Sequence, residues 1–167
     1  APERLFAQLM QVAGRAGRAG TPAEVYIQTG YPEQPLYQAL VRHDYAGFAR
    51  YALRERESAG LPPFAYQALL TAEARELAQA QAFLAQARAW TDGTDSSQVA
   101  DMSRITLYDP VPLRVVRVAN VERAQLLVES DSRPALQGFL RAWAGVLPGL
   151  AATARVRWHL EVDPLEI

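Results

Sequence analysis

The sequence predicts an α+β protein in three parts: a helix, arginine loop and strand over residues 1–30, a helical connector over 31–63, and a strand-and-helix domain over 64–167. Three observations predict it. Apolar residues recur every three or four positions near the start, after Asp44 and from Leu136 onward, which is helical spacing. Apolar and polar residues alternate from Tyr66, from Ala124 and from Val156, which is strand spacing. Proline and glycine fall between these stretches, where the chain has to turn.

In the first part, Leu5, Phe6, Leu9, Met10 and Val12 form an amphipathic run that predicts a helix. It leads into Gln11-Val12-Ala13-Gly14-Arg15-Ala16-Gly17-Arg18, where each arginine follows a glycine. A guanidinium keeps its charge, and its planar fork grips phosphate oxygens in pairs. The glycines permit sharp turns and close approach. Arg15 and Arg18 are therefore candidates for phosphoryl-transfer chemistry, of the kind that neutralises charge on a γ-phosphate from outside the phosphate loop. Gln11, a helical turn upstream, is the candidate that orients the attacking water or a phosphate oxygen. Gly-Arg runs also occur in flexible basic linkers, so a disordered basic arm stays open as a reading. Val25 to Thr29 predicts a short strand.

In the connector, Pro35 suits the first turn of a helix through Val41, and Asp44 suits the cap of a second helix from Tyr45 to Ser58. Gly60 and Pro62-Pro63 end it. His43, Tyr37, Tyr45 and Tyr51 read as packing residues at a domain junction, because aromatic side chains favour burial.

The third part opens with Tyr66, Ala68, Leu70 and Ala72 on one side of a strand and Gln67, Leu69, Thr71 and Glu73 on the other. Leu77, Ala80, Phe83, Leu84 and Ala87 predict a helix over 74–90, and Thr91 to Ser103 a loop. Ile105 to Tyr108 predicts a strand, Asp109 to Pro112 a break, and Arg114 to Ala119 a further strand. A turn at 120–122 then returns the chain through Ala124 to Glu129. Leu136, Phe139, Leu140, Trp143, Val146 and Leu147 trace one helix face, with Gly149 just past its end. Last, Val156, Trp158, Leu160 and Val162 face away from Arg155, Arg157, His159 and Glu161. Strand, helix, strand, strand, helix, strand predicts a four-stranded sheet with two helices on one face, the split βαβ arrangement. Trp143, Trp158 and Phe139 are its expected core.

Composition excludes several classes. Half the residues are hydrophobic and the 17 basic residues, all arginine, face 18 acidic ones. That balance carries no global nucleic-acid signature, so any DNA contact is local. No cysteine means no disulfide and no thiolate metal site in this chain. No apolar run reaches membrane-spanning length and no signal peptide is read, and the lack of cysteine fits a cytoplasmic protein. The absence of lysine rules out a Gly-x-x-x-x-Gly-Lys-Ser/Thr loop, so the chain alone is expected to lack ATP hydrolysis and to be a piece of an enzyme.

The run Gln-x-x-Gly-Arg-x-Gly-Arg followed by Val25-Tyr26-Ile27-Gln28-Thr29 resembles motif six of superfamily-two helicases. Further runs narrow the resemblance: Gln28-Thr29-Gly30-Tyr31-Pro32-Glu33, Pro35-Leu36-Tyr37, His43-Asp44-Tyr45, Pro62-Pro63-Phe64, Tyr108-Asp109-Pro110-Val111-Pro112 and Val162-Asp163-Pro164-Leu165-Glu166. In this order they are similar to the C-terminal portion of the primosomal protein N′ (PriA) family of bacterial replication-restart DNA helicases, over essentially the whole chain. The resemblance implies that residues 1–30 end a RecA-like helicase lobe. It also implies a parent enzyme that is an ATP- and magnesium-dependent 3′-to-5′ helicase acting at forked DNA, with other primosome proteins, in the cytoplasm near the nucleoid. The family's zinc region lies upstream of the part represented here, and no zinc or other metal is expected in this chain.

Two binding sites are expected in the third part. Ser130, Asp131 or Ser132 can cap the second helix, and Arg133 and Gln137, four apart, share one exposed side of it. An arginine beside the free N–H groups of a helix start suits a carboxylate. The resemblance implies that Arg133 and Gln137 take the acidic, hydrophobic C-terminal tail of single-stranded DNA-binding protein. Arg155, Arg157 and His159, with Arg114 or Arg117 and Arg123, are a candidate basic platform for a DNA backbone. The rival reading is a stand-alone nucleic-acid- or peptide-binding module with a flexible basic arm.

Overall fold

The computed structural model describes residues 2–16, 24–93, 101–113 and 121–164. The chain divides into two compact units, residues 1–59 and 60–167.

The first unit is helical. Helix α1 spans Pro2–Ala13, α2 Pro35–Val41 and α3 Tyr45–Ser58. Asp44 caps α3 by accepting the Gly47 N–H at 2.7 Å, and Pro35 starts α2. Phe6 of α1 is buried and stacks on Phe48 of α3, ring centroids 4.6 Å apart and nearly parallel, beside Leu36, Ala39 and Leu40 of α2. Arg56 of α3 donates to Glu3 of α1 at 2.6 Å. Burial pushes the Glu3 carboxyl up, but hydrogen bonds from its own backbone N–H and from Arg56, with the Arg56 charge, outweigh this and hold it below its ordinary value.

Two expectations for this unit need correcting. Residues 24–29 form no strand, and Val25 and Tyr26 are exposed. A strand needs a partner edge for its N–H and C=O groups, and none lies beside this stretch among the described residues. The connector aromatics are only partly buried: Tyr37 packs on the core, His43 is exposed, and Tyr45, though its ring lies 5.7 Å from Phe6, stays 64% exposed.

The second unit is α+β with a five-stranded antiparallel sheet. Its elements are β1 (Tyr66–Ala74), α4 (Leu77–Gly93), β2 (Ile105–Leu107), β3 (Val111–Pro112), β4 (Glu122–Ser130), α5 (Arg133–Ala154) and β5 (Arg157–Val162). The strand order is β2-β4-β1-β5, with β3 also paired to β4. Ala68, Leu70, Ala72, Ala124, Leu126 and Val128 form the sheet face on which α4 and α5 pack. Alanines at 68, 72, 80, 87 and 124 leave room for Phe83, Phe139 and Trp143, all fully buried. Each such large side chain contributes about 1.5–3 kcal/mol. Trp143 Nε1 donates to the Ala87 carbonyl at 2.9 Å, so the buried indole leaves no donor unpaired and ties α5 to α4.

The sheet has five strands, not four, because Val111 and Pro112 pair with Gln125 and Ala124 within the expected break. Pro112 lacks an N–H, which suits a position at the end of a short strand. The expected strand 114–119 lies outside the described residues. Helix α4 begins later than expected because β1 continues until Ala74 pairs with Glu122. Helix α5 does not stop before Gly149 but runs through Pro148 to Ala154, since Leu147 and Ala151 continue its buried stripe. Arg155, in the left-handed conformation, is its cap and not part of β5. Gln67, Leu69 and Thr71, on the strand side away from the helices, are buried as well, with β1 central between β4 and β5. Trp158 is only half-buried. No helix among the described residues is long and apolar enough to cross a membrane.

Candidate functional site

The arginine loop follows α1 directly. The N–H of Gly14 donates to Met10 O at 2.9 Å and that of Arg15 to Val12 O at 3.1 Å, so the helix winds down into a turn. Gln11 and Arg15 are both exposed. Arg18 lies outside the described residues. Beside this turn is a cleft of about 280 Å³ lined by Ala13, Ala16, Val25, Ile27, Leu40, Val41 and His43.

The start of α5 holds the second candidate. Ser132 caps the helix, accepting the Ala135 N–H at 3.4 Å. Arg133 is its first residue, and Gln137 is exposed one turn on. The Arg133 guanidinium lies over the Tyr66 ring, 4.9 Å from its centroid, and Nη2 donates to Asp163 Oδ2 at 3.2 Å. The Asp163 N–H in turn donates to Gln67 O at 2.9 Å, extending the β1·β5 pairing by one residue. Tyr66 and Asp163 are partners that sequence reasoning missed. They lie almost a hundred residues apart, and only the antiparallel register of β1 and β5 brings them to one place.

The sheet face away from the helices carries the third. Glu73 sits between Arg123 on β4 and Arg157 on β5, and Arg123 Nε donates to Glu73 Oε1 at 2.7 Å. Thr71 follows between Gln125 and His159, then Leu69 between Leu127 and Glu161. At the far end, Gln67 Nε2 donates to Glu129 Oε2 at 2.8 Å and the Tyr108 hydroxyl to Glu129 Oε1 at 3.3 Å. The Glu129 charge, then burial and that hydrogen bond, push the Tyr108 phenol above its ordinary value. The face is thus graded, arginine-rich at one end and acidic at the other. Of the expected platform, the structure brings Arg157 and Arg123 together and puts Arg155 on the helix cap. Arg114 and Arg117 lie outside the described residues.

A polar groove of about 410 Å³ opens at the acidic end, lined in part by Phe64, Ser103, Arg104, Thr106, Glu129 and Asp131. Arg104 Nε donates to Asp131 Oδ1 at 2.7 Å and holds that carboxyl below its ordinary value. Among the described residues, no group of three or more His, Asp or Glu side chains could hold a metal ion.

Residues 57–165 match the model of the primosomal protein N C-terminal domain. A replication restart protein PriA from Haemophilus influenzae is 38% identical over the whole chain and 22% of its own length. One from Synechocystis is 32% identical over 99% of this chain and 18% of its own, and one from Treponema pallidum 31% over the whole chain and 24% of its own. The chain therefore spans about a fifth of the length of these relatives. A hydantoinase/carbamoylase family amidase from Burkholderia ambifaria aligns with 60% of this chain and 28% of its own, at 13% identity and a TM-score of 0.40. A likeness that slight transfers neither fold nor activity.

Proposed function

This chain belongs to the primosomal protein N C-terminal domain family, that of the replication restart protein PriA, and on that premise we propose that it serves replication restart as the C-terminal part of a DNA helicase. The observation that carries the proposal is the coincidence of the family match, residues 57–165, with the second compact unit, residues 60–167. In that reading, the sheet order β2-β4-β1-β5 with both helices on one face is a split βαβ domain with β3 added. The domain binds partners, and the first unit ends the helicase lobe.

Gln11, Arg15 and Arg18 then act on the γ-phosphate of ATP. The described residues do not themselves fit a nucleotide: Gln11 and Arg15 stand exposed on a helix end, with no phosphate-cradling loop beside them and no lysine in the chain. The triphosphate and its magnesium would be held by another part of the helicase, and the arginines would supply positive charge toward it. At the start of α5, Arg133 and Gln137 take the acidic C-terminal tail of single-stranded DNA-binding protein, with the guanidinium fork meeting a carboxylate. Arg157 and Arg123 contact the DNA backbone of a fork.

In the full-length protein, Arg18→Ala should lower DNA-stimulated ATP hydrolysis by about 10³-fold or more while fork binding persists. An ATPase that survives the substitution removes the arginines from phosphoryl transfer. The rival reading, a stand-alone binding module, draws support from the exposed stretch 24–28, which pairs with no strand among the described residues. It requires that no nucleotide-dependent activity accompany this chain, and the same ATPase assay decides between them.

A further inference from the structure

We propose that Asp163 is an internal competitor for Arg133: its carboxylate occupies the guanidinium that an acidic peptide end must take. The inference rests on the reading of Arg133 and Gln137 as a peptide-binding pair and adds a gate to it.

The geometry is that of a replaceable contact. Arg133 and Asp163 meet through a single hydrogen bond of 3.2 Å, Nη2 to Oδ2, with side chains 53% and 51% exposed. A guanidinium has five N–H donors and can meet a carboxylate through two parallel bonds, so an incoming carboxylate in fork geometry makes a better contact than the one it displaces. Meanwhile the two ends of the contact are anchored separately. Tyr66 supports the guanidinium plane from below, and the backbone of Asp163 is held by its N–H to Gln67 O at 2.9 Å and by a left-handed conformation, φ 53°. Release of Asp163 therefore leaves Arg133 on its aromatic support, ready for the ligand. The carboxylate has only to turn toward solvent.

The test is a titration of the chain with a fluorescently labelled short peptide of aspartates that ends in an aromatic residue and a free carboxylate. Asp163→Asn keeps a residue type that tolerates positive φ and removes the competing charge. Since an exposed ion pair is weak, affinity should rise about two- to fivefold, whereas Arg133→Ala should weaken binding about tenfold or more. In the Arg133→Ala background, Asp163→Asn should give no gain. Glu161→Gln, which removes a nearby charge that does not touch Arg133, should give none either. Asp163→Gly, which adopts positive φ without strain, repeats the measurement with matched thermal melting should the asparagine variant misfold. Two results overturn the gate while leaving the pocket intact: binding lost in Arg133→Ala with no gain in Asp163→Asn, or a gain of equal size in Glu161→Gln. Undiminished binding in Arg133→Ala instead removes the pocket, and the gate with it.

Discussion

Trp143 shows how one side chain can serve two ends: its ring fills the space between α5 and the sheet while its Nε1 satisfies itself on the Ala87 carbonyl. Trp143→Phe keeps most of the volume but loses the donor, and should cost about 1–3 kcal/mol; Trp143→Ala opens a cavity and should cost about 3–5 kcal/mol. Urea unfolding midpoints at constant slope would measure both. Glu3 makes a pH prediction. Its carboxyl is held low in the folded state, chiefly against burial, by its own backbone N–H and by Arg56. The contact therefore stabilises at pH values above the unfolded carboxylate range and is lost as pH falls through the lowered folded value. The first unit should melt at lower temperature in acid than at neutrality, and Glu3→Gln should flatten that dependence, which circular dichroism melts across pH would detect. Residue types that could bear chemistry, such as Arg133, were legible one at a time. Their partners were not, since nothing in the local sequence around Arg133 points to Tyr66 or Asp163.

Among the elements, legibility followed the locality of the signal. The cap at Asp44 and the proline at the start of α2 act within one turn, and both helices begin where those residues stand. Asp44→Ala should cost about 1 kcal/mol through the Gly47 N–H it leaves unpaired. Helix α5 went the other way. Gly149 and Pro148 are local stop signals, yet the helix passes both because Leu147 and Ala151 stay packed on the core. Pro148 still costs its missing N–H, so Pro148→Ala should stabilise the unit by about 1–3 kcal/mol, readable as a raised melting temperature. An unchanged or lowered melting temperature would show that the proline is matched to a local distortion that alanine does not relieve. The stretch 24–29 carries strand-like residues with no partner edge among the described residues, which no periodicity within it reveals.

At the scale of the whole molecule, the second unit has a continuous core of its own. Residues 60–167 expressed alone should unfold in one cooperative transition close to that of the same unit in the full chain, as differential scanning calorimetry would show. The proposed DNA contact of the graded sheet face belongs to the same scale. Arg123 is paired with Glu73 and Arg157 lies across the strand from that acid, so only part of the arginine charge is free for phosphate, and the salt dependence of fork binding should be shallow. By itself the sequence determined the class of fold, most helices and strands, and the family, because periodicity, capping and motif spacing are written over short distances. Only the tertiary structure decided that Arg133 rests on Tyr66 and meets Asp163, that Arg123 and Arg157 flank an acid, and that β1 is buried on both faces. Those facts depend on which strands lie side by side and in what register, a choice made by packing among residues far apart in the chain.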